Sequence, residues 1–586
     1  MTLLRKLKNL FIGRSHSLHD NTIFHKLSLI AFFAWVGLGA DGLSSSCYGP
    51  QEAFLALGGH TYLSIFVAIG TVLTIFVIST SYSQIVELFP AGGGGYLVAS
   101  KLLSPTFGMV SGCALLIDYV LTITVSIASG ADAIFSLLPI EWHSYRLTVA
   151  ILIIMAMMLL NMRGIKESIL PLVPVFLIFI LTHVFIILYA ILTHLPNLPH
   201  LTASIKTDTQ GAMSGLGFFG MIFVILRAYS MGAGTYTGIE AVSNGIPILR
   251  EPKVYTAKRT MQYMAMSLAF IVLGLMLAYL FYEVKLEPGK TLNAVLFEQA
   301  TAGWSGKSGY MFILIALFSE AMLLFVAAQA GFLDGPRVLA NMAVDRWLPT
   351  RFSALSDRFV AQNGILIMSM LSLALMIISR GSVRFLVVLY SINVFITFAL
   401  SQLGMVRHWW ASRVSVKGWF SKLFINGIGL ILTASILVFM IIFKFYEGGW
   451  ITLLITGALV LFAYMIKRHY YATAKLLHRL NNLVVVAESF EGNNAKAGLP
   501  LEEPCFDPKA KTAVLLVNGF NGMGLHTLFA VIRLFGSFKN FIFVQVGVVD
   551  AGNFKGREEV ENLKAHLNDD LNRYIRFMNN NGYYAE

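Results

Sequence analysis

Gly37-Leu38-Gly39-Ala40-Asp41-Gly42-Leu43-Ser44-Ser45-Ser46-Cys47-Tyr48-Gly49-Pro50 lies in the middle of an apolar stretch long enough to cross a bilayer, and Gly232-Ala233-Gly234-Thr235-Tyr236-Thr237-Gly238-Ile239-Glu240 lies in the middle of another. A helix in hydrocarbon satisfies its backbone polar groups internally, so a run of glycine and small hydroxyl residues at mid-depth is tolerated only where it lines a polar cavity. The positions of the two runs carry the reading. Twelve apolar spans are expected, at about 27–57, 61–88, 107–138, 146–162, 169–193, 214–246, 260–282, 309–333, 364–380, 383–402, 425–444 and 450–467. The broken ones are spans 1 and 6, the opening helices of two five-helix halves, spans 1–5 and 6–10. Corresponding broken helices in paired halves point to a 5+5 inverted-repeat transporter whose site lies at the midplane between half-helix ends. Glycine used only for close helix packing is the competing reading.

Composition agrees with a polytopic membrane protein. The 586 residues are 56% apolar and 13% charged, against roughly 45–50% and 25% in an average soluble domain. That balance excludes a secreted, disordered, fibrous or nucleic-acid-binding chain. The net charge of +12 is explained by where the basic residues fall, because Lys and Arg collect in cytoplasmic loops. Arg5, Lys6, Lys8, Arg14 and Lys26 precede span 1, with no small-residue cleavage site, as in a cytoplasmic tail and unlike a signal peptide. Lys101, then Arg163 and Lys166, then Arg250, Lys253, Lys258 and Arg259, then Arg337, Arg346, Arg351 and Arg358, then Arg407, Arg413, Lys417 and Lys422 fall on the same side. Both termini are therefore expected in the cytoplasm. Cys47, Cys113 and Cys505 offer no disulfide framework and no metal-ligand spacing, and the first two read as small buried thiols.

Each interruption carries an intramembrane acid, Asp41 and Glu240, and span 3 carries a third, Asp118. Ionisable groups at that depth usually face a water-filled path or a partner. The only basic residue within these three spans is Arg227, which could neutralise at most one of them. Thr122 and Ser126 follow Asp118 by four and eight positions, which puts one carboxylate and two hydroxyls on a single helix face. Tyr48, Thr237 and, from span 10, Tyr390 add further oxygens. A set of carboxylate, hydroxyl and carbonyl oxygens with a surplus of acids is a hard-cation site by ligand type. Thr and Ser in a membrane helix also often bond their own preceding carbonyl, which is the bland alternative for Thr122 and Ser126.

The composition changes after span 12. A polar linker, Glu491 to Pro508, leads to Lys511–Asn518 and Phe541–Val549 as buried strands, and to Leu525–Phe535 and Glu558–Met578 as helices. The β-α-β-α order is that of a small cytosolic parallel α/β domain. The expected division is a tail at 1–26, a transporter domain at 27–467, a linker at 468–510 and the α/β domain at 511–586. The small domain wants further strands, so it is expected to borrow an edge from a second copy. Gly519, Gly522 and Gly524 lie in its first strand–helix loop, but their spacing fits neither a P-loop nor a dinucleotide fingerprint.

Glu87-Leu88-Phe89-Pro90-Ala91-Gly92-Gly93-Gly94-Gly95-Tyr96 after span 2, Asn161-Met162-Arg163-Gly164-Ile165-Lys166-Glu167-Ser168 before span 5, and Gly335-Pro336-Arg337 with Met342-Ala343-Val344-Asp345-Arg346-Trp347-Leu348-Pro349 after span 8 resemble the amino acid, polyamine and organocation superfamily. Within it, Asp41–Pro50 and Thr237–Pro247 resemble the KimA-type potassium importers. The resemblance implies a proton-coupled potassium symporter with the fold of the sodium-coupled leucine transporter. It also implies a universal-stress-protein-like cytosolic domain, a homodimer, and residence in a bacterial inner membrane. Position by position it implies cation ligands at Asp41, Asp118, Thr122, Ser126 and Thr237, with K⁺ at Asp41, Asp118 and Thr122. Glu240 takes the role of the proton-handling acid, and Tyr48 and Tyr390 those of gating residues. Ser46-Cys47 departs from the valine- and alanine-like pair expected before Tyr48.

No resident cofactor is expected; K⁺ and H⁺ are cargo. The cation would exchange its water for the oxygens of Asp118, Asp41 and the unwound backbone, while Glu240 loads a proton on one side and releases it on the other. A proton-coupled amino acid or polyamine permease on the same scaffold is the first rival. Asp41 in the break would repel a substrate carboxylate, and Leu170–Thr193 lacks the lysine that amino-acid members of the superfamily often carry in span 5. The second rival is a transporter-like sensor with a nucleotide-responsive tail. Scattered histidines, no HExxH-like spacing and no nucleophile with a visible base argue against an enzyme.

Overall fold

Apolar spans fold as helices because backbone groups have no other partner in hydrocarbon, and the broken spans show where that rule is relaxed. The computed structural model describes residues 29–163 except 91 and 93, 172–485 except 357 and 359, and 504–586 except 549 and 551–556. The basic residues Arg5 to Lys26, the Gly164–Ser168 half of the second motif, the start of span 5 and Glu491–Glu503 of the linker lie outside the described residues. The chain forms two compact units, Met1–Met342 with Ser356–Leu461, and Ala343–Leu355 with Phe462–Glu586.

In the first unit, span 1 is divided into α1 (Ala31–Gly37), α2 (Gly39–Ser44) and α3 (Gly49–Ala56), with a tight turn at Ser45–Cys47 before α3. Then follow α4 (Ser64–Leu88), α5 (Gly95–Leu102), α6 (Pro105–Phe135), α7 (Arg146–Arg163) and α8 (Leu172–Thr193). Span 6 is α9 (Leu198–Met231), a tight turn at Gly232–Tyr236 and α10 (Ala241–Asn244). After it come α11 (Lys253–Phe281), α12 (Leu292–Thr301), α13 (Gly306–Val344), α14 (Gln362–Ser379), α15 (Val383–Ala411), α16 (Trp419–Lys444) and α17 (Trp450–His478), of which the ends of α13 from Ala343 and of α17 from Phe462 belong to the second unit. Among the described residues, ten stretches are long and apolar enough to cross a membrane. Span 1 is not among them because its helices are short. α16 and α17 count as one stretch, although Gly448, at φ 115°, breaks the helix between them.

α6 starts where sequence chemistry puts a helix start: Ser104 accepts from the Phe107 N–H and Pro105 takes the first helical position. Of its most apolar window 89% is buried, against 17% for Ile140–Arg163, so α6 runs through the centre and α7 along the rim. α6 packs on α5, α14 and α15.

Three points refine the expected spans. Within the expected interruption of span 1 the chain breaks at Leu38 and again at Ser45–Tyr48, while Gly39 and Gly42 sit in the short helix α2 between. A Cβ at Gly39 would come 2.9 Å from the Trp35 ring and one at Gly42 3.1 Å from the Met264 sulfur, so close packing explains both glycines. The expected start of span 6 at about 214 lies three residues before a kink at Gly217 (φ 74°), which separates the span from the helical run that reaches back to Leu198. α12, in the connection after span 7, was not foreseen. Its ten residues mix apolar and polar side chains, which a search for membrane-length apolar runs passes over.

The second unit carries a three-stranded parallel sheet in the order β1 (Lys511–Val517), β2 (Phe538–Gln545), β3 (Tyr584–Ala585), with α18 (Gly522–Phe535) and α19 (Arg557–Asn579) as the connecting helices. β3, two residues long, supplies a third strand where two had been expected. β2 opens at Phe538, three residues early, and ends at Gln545, short of the expected Val549. Ala513 and Leu515 of β1, Phe541 and Phe543 of β2, Leu525 and Leu528 of α18, and Tyr574, Phe577 and Met578 of α19 form one core, so both helices cover the same sheet face. Val514 and Leu516, on the opposite face, are exposed.

Candidate cation site

The two broken helices meet through their backbones. Leu29 donates to the Ile248 carbonyl and the Arg250 N–H donates back to Leu29, each at 2.8 Å, which ties the start of span 1 to the end of span 6. At mid-span the Ser45 hydroxyl donates to the Thr235 carbonyl at 3.0 Å. Thr237 is extended (ψ 158°) and Gly238 takes φ 80°, where the chain leaves helical geometry. A Cβ at Gly238 would lie 2.5 Å from the Gly42 nitrogen and 2.7 Å from the Asp41 carbonyl carbon, backbone atoms that cannot swing aside. The left-handed conformation alone costs a side-chain-bearing residue about 1–2 kcal/mol. Gly238→Ala is therefore expected to lower the melting temperature of the purified chain by several degrees, whereas Gly427→Ala, at a glycine with open space around it, should leave it unchanged. Thermal unfolding in detergent measures both.

This crossing gathers the predicted residues. Asp41, Asp118, Thr122, Ser126, Thr237, Glu240, Tyr48 and Tyr390 are all buried, each at most 5% exposed. Asp41, Asp118 and Glu240 lie within electrostatic reach of one another, pair by pair. The Tyr48 hydroxyl lies beside Thr237, within the field of Asp41 and Asp118. Thr122 donates to the Tyr390 hydroxyl at 3.3 Å and so bridges α6 and α15, instead of turning back on its own helix. Tyr390 also feels Asp118, Tyr48, Asp41 and Glu240, which places span 10 at the crossing. Thr237 donates locally, to the Gly234 carbonyl at 2.6 Å. Ser126 is buried one turn beyond Thr122.

The charge balance decides what the site can hold. Asp118 Oδ1 and Glu240 Oε2 are buried with no hydrogen-bond partner. The other Glu240 contacts are the backbone N–H groups of Gly238 and Glu240 itself. Arg227, the one basic candidate from the sequence, is taken elsewhere: its guanidinium is 3.5 Å from Glu447, between α16 and α17. Among the described residues no ion pair joins a basic side chain to Asp41, Asp118 or Glu240; the nearby Arg337 is paired with Asp334. A carboxylate at a helix centre in the membrane costs about 2.5–3.5 kcal/mol on insertion scales, so three together call for positive charge, as protons or as a bound cation. No trio of His, Cys, Asp or Glu among the described residues is tight enough to hold a metal ion by itself. A cation here would complete its shell with the hydroxyl and carbonyl oxygens of the two breaks, as suits a large, weakly held ion.

Sequence reasoning missed Asp334. It is 1% exposed in α13, its field reaches Asp41 and Glu240, and Arg337 holds one of its oxygens at 3.3 Å. It stands immediately before Gly335-Pro336-Arg337, so the motif itself was the available signal. Tyr119, next to Asp118, was also missed; its hydroxyl accepts from Asn244, just past the span 6 break, at 2.5 Å.

Residues 27–466 match the model of the amino acid permease family. The chain is 32% identical over 447 residues to "Potassium transporter KimA" of Bacillus subtilis (strain 168), an alignment covering 75% of this chain and 71% of that protein. Among solved structures, a manganese transporter of Eremococcus coleocola in complex with an aromatic bis-isothiourea compound aligns with a TM-score of 0.39 and 14% identity, over 78% of this chain and 97% of that one.

Proposed function

The chain belongs to the amino acid permease family, and from that premise we propose that it is a secondary active transporter that imports potassium together with protons by alternating access. The observation that carries the reading is the surplus of buried acid at the crossing of spans 1 and 6: three carboxylates, hydroxyls from Tyr48, Thr122, Thr237 and Tyr390, and Arg227 turned away to Glu447. The likeness to a potassium transporter supports the same cargo. Asp41, Asp118, Thr122, Ser126 and Thr237 bind the ion in this reading, Glu240 carries the proton, and Tyr48 and Tyr390 gate. An inside-negative potential contributes roughly 2.3 kcal/mol per charge per 100 mV and drives both cations inward.

The proposal keeps twelve spans in a 5+5 repeat, a transporter domain over 27–467, a universal-stress-protein-like domain over 511–586, a bacterial inner membrane, and both termini in the cytoplasm, an orientation that the basic loops support. Pairing of two tails is supported by the sheet, whose second face leaves Val514 and Leu516 bare although parallel sheets are normally covered on both. The sensor reading loses ground in the loop of Gly519, Gly522 and Gly524. The Gly522 N–H already donates to Asn481 at 3.2 Å and the Gly524 N–H to Asn521 at 2.9 Å, so these amides are not free to cradle phosphate.

Growth of a potassium-uptake-deficient bacterium on micromolar potassium tests the function. Rescue by this chain is the expected result. Failure of a well-expressed chain would transfer the assignment to organic amines, to be followed with radiolabelled polyamines and amino acids.

A further inference from the structure

A second buried polar cluster lies outside the crossing. His183 of α8 and Glu320 of α13 are 0% and 1% exposed, with His183 Nε2 3.7 Å from Glu320 Oε2. The tautomer follows from the other ring nitrogen. Nδ1 faces the Phe179 carbonyl at 2.9 Å and the Thr182 hydroxyl at 3.3 Å; the carbonyl can only accept, and the hydroxyl's own hydrogen is taken up by the Ile178 and Phe179 carbonyls at 2.9 and 3.0 Å, so Nδ1 carries the hydrogen. In the neutral ring Nε2 is then a bare lone pair, and it has no hydrogen-bond partner. The carboxylate opposite it is equally an acceptor. Asn293 of α12 donates to both its oxygens at 3.2 Å, and the orientation of that amide is fixed by the Tyr279 hydroxyl, which donates to Asn293 Oδ1 at 2.5 Å. Two acceptors therefore face each other across a gap with no hydrogen between them.

We propose that His183 and Glu320 form a second proton-binding site, separate from Asp41, Asp118 and Glu240, which takes one proton between Nε2 and Oε2 and acts on the span 1 break through Cys47. The balance is simple: one proton arrives on either atom, is shared as a hydrogen bond across the gap, and turns a pair of net charge −1 into a neutral one. Hydrocarbon depth favours that exchange, because an uncompensated carboxylate is the costly state. The aromatic surroundings keep the gap dry, with the Phe179 ring 3.9 Å from the imidazole and the Phe297 ring edge-on at 5.5 Å. The titratable groups facing the pair are the Cys47 thiol, against the Glu320 carboxylate, and the Tyr279 hydroxyl. Cys47 immediately precedes Tyr48, so the proton's arrival changes what the thiol meets at the point where span 1 leaves its helix. Its role in uptake rests on the proposed function; the proton itself does not.

The test uses the full chain in lipid nanodiscs with ¹⁵N-labelled histidine, the His183 resonances being assigned by their loss in His183→Gln, or in His183→Asn if the first variant does not fold. The wild type is expected to show Nδ1 protonated throughout and an Nε2 signal that moves between a bare and a hydrogen-bonded state as the pH is varied. In Glu320→Gln, whose amide N–H fills the gap, Nε2 should stay in one state. A ring protonated on Nε2 alone, or an Nε2 signal that does not move in the wild type, would overturn the proposal. In proteoliposomes Cys47→Ala should keep the Nε2 titration and alter the pH profile of potassium uptake. An unaltered profile in both Cys47→Ala and His183→Gln would remove the link to the span 1 break. Absence of any wild-type potassium uptake would refute the proposed function and leave the resonance result standing.

Discussion

Asp118→Asn is expected to abolish growth on micromolar potassium and to weaken potassium uptake about a hundredfold. The amide keeps the size and position of the side chain on α6, so the fold at the crossing is retained while one negative charge is lost. Asp118 Oδ1 is buried and has no partner in the protein, so the charge is not spent on holding helices together. A charge at that depth is worth about 3 kcal/mol, and 3 kcal/mol is about a hundredfold in binding. Neutral oxygens should matter less. Thr122→Val removes the bond to Tyr390 at a net cost of about 1 kcal/mol, or a few-fold in affinity. Uptake of radioactive rubidium by proteoliposomes, with protein quantified, measures both. Wild-type uptake by Asp118→Asn would place the ion elsewhere.

What was legible in the sequence divides along physical lines. Membrane-length helices are set by a local property, the run of apolar side chains, and the expected span at 61–88 corresponds to a helix at Thr61–Leu88, that at 146–162 to α7 and that at 383–402 to the first part of α15. The break in span 6 was equally local, since Gly238 is needed for its own φ as well as for contact with Gly42. Gly39 and Gly42 look the same on paper and are helical, because what they serve is a neighbour's side chain, Trp35 or Met264, and a partner chosen by tertiary packing leaves no mark in the run itself. Tyr390 could be placed at the site only by its position in span 10, yet its hydroxyl meets Thr122 across two helices. Asp334 and the His183–Glu320 pair were missed for the same reason: each is a single polar residue in an ordinary apolar helix, and burial against another acid or base is a property of the packed bundle. Arg227 was the reverse case, a base near the acids in sequence whose partner, Glu447, belongs to a distant part of the chain.

Glu240→Gln should separate binding from coupling. The side chain sits where the chain re-enters helix before α10, its carboxylate against the N–H groups of Gly238 and Glu240, with Oε2 facing no donor. A glutamine keeps the volume and one acceptor for those N–H groups, but it can neither take up nor release a proton. If Glu240 is the proton carrier, the variant holds the charge of the protonated state permanently. Potassium would then bind, since Asp41 and Asp118 remain, and would exchange across the membrane down its own gradient. An imposed proton gradient would no longer raise the internal concentration. The expected result in proteoliposomes is potassium-dependent thermal stabilisation within a few-fold of wild type, counterflow of labelled rubidium preserved, and proton-driven accumulation reduced at least about tenfold, the loss expected when about 1.4 kcal/mol or more of coupling is removed. Asp118→Asn should lose all three signals together, because it removes a ligand of the ion in the proposed site. Proton-driven accumulation at wild-type strength in Glu240→Gln would exclude Glu240 and leave Asp41 or the His183–Glu320 pair to carry the proton, which the same measurement on Glu320→Gln would decide.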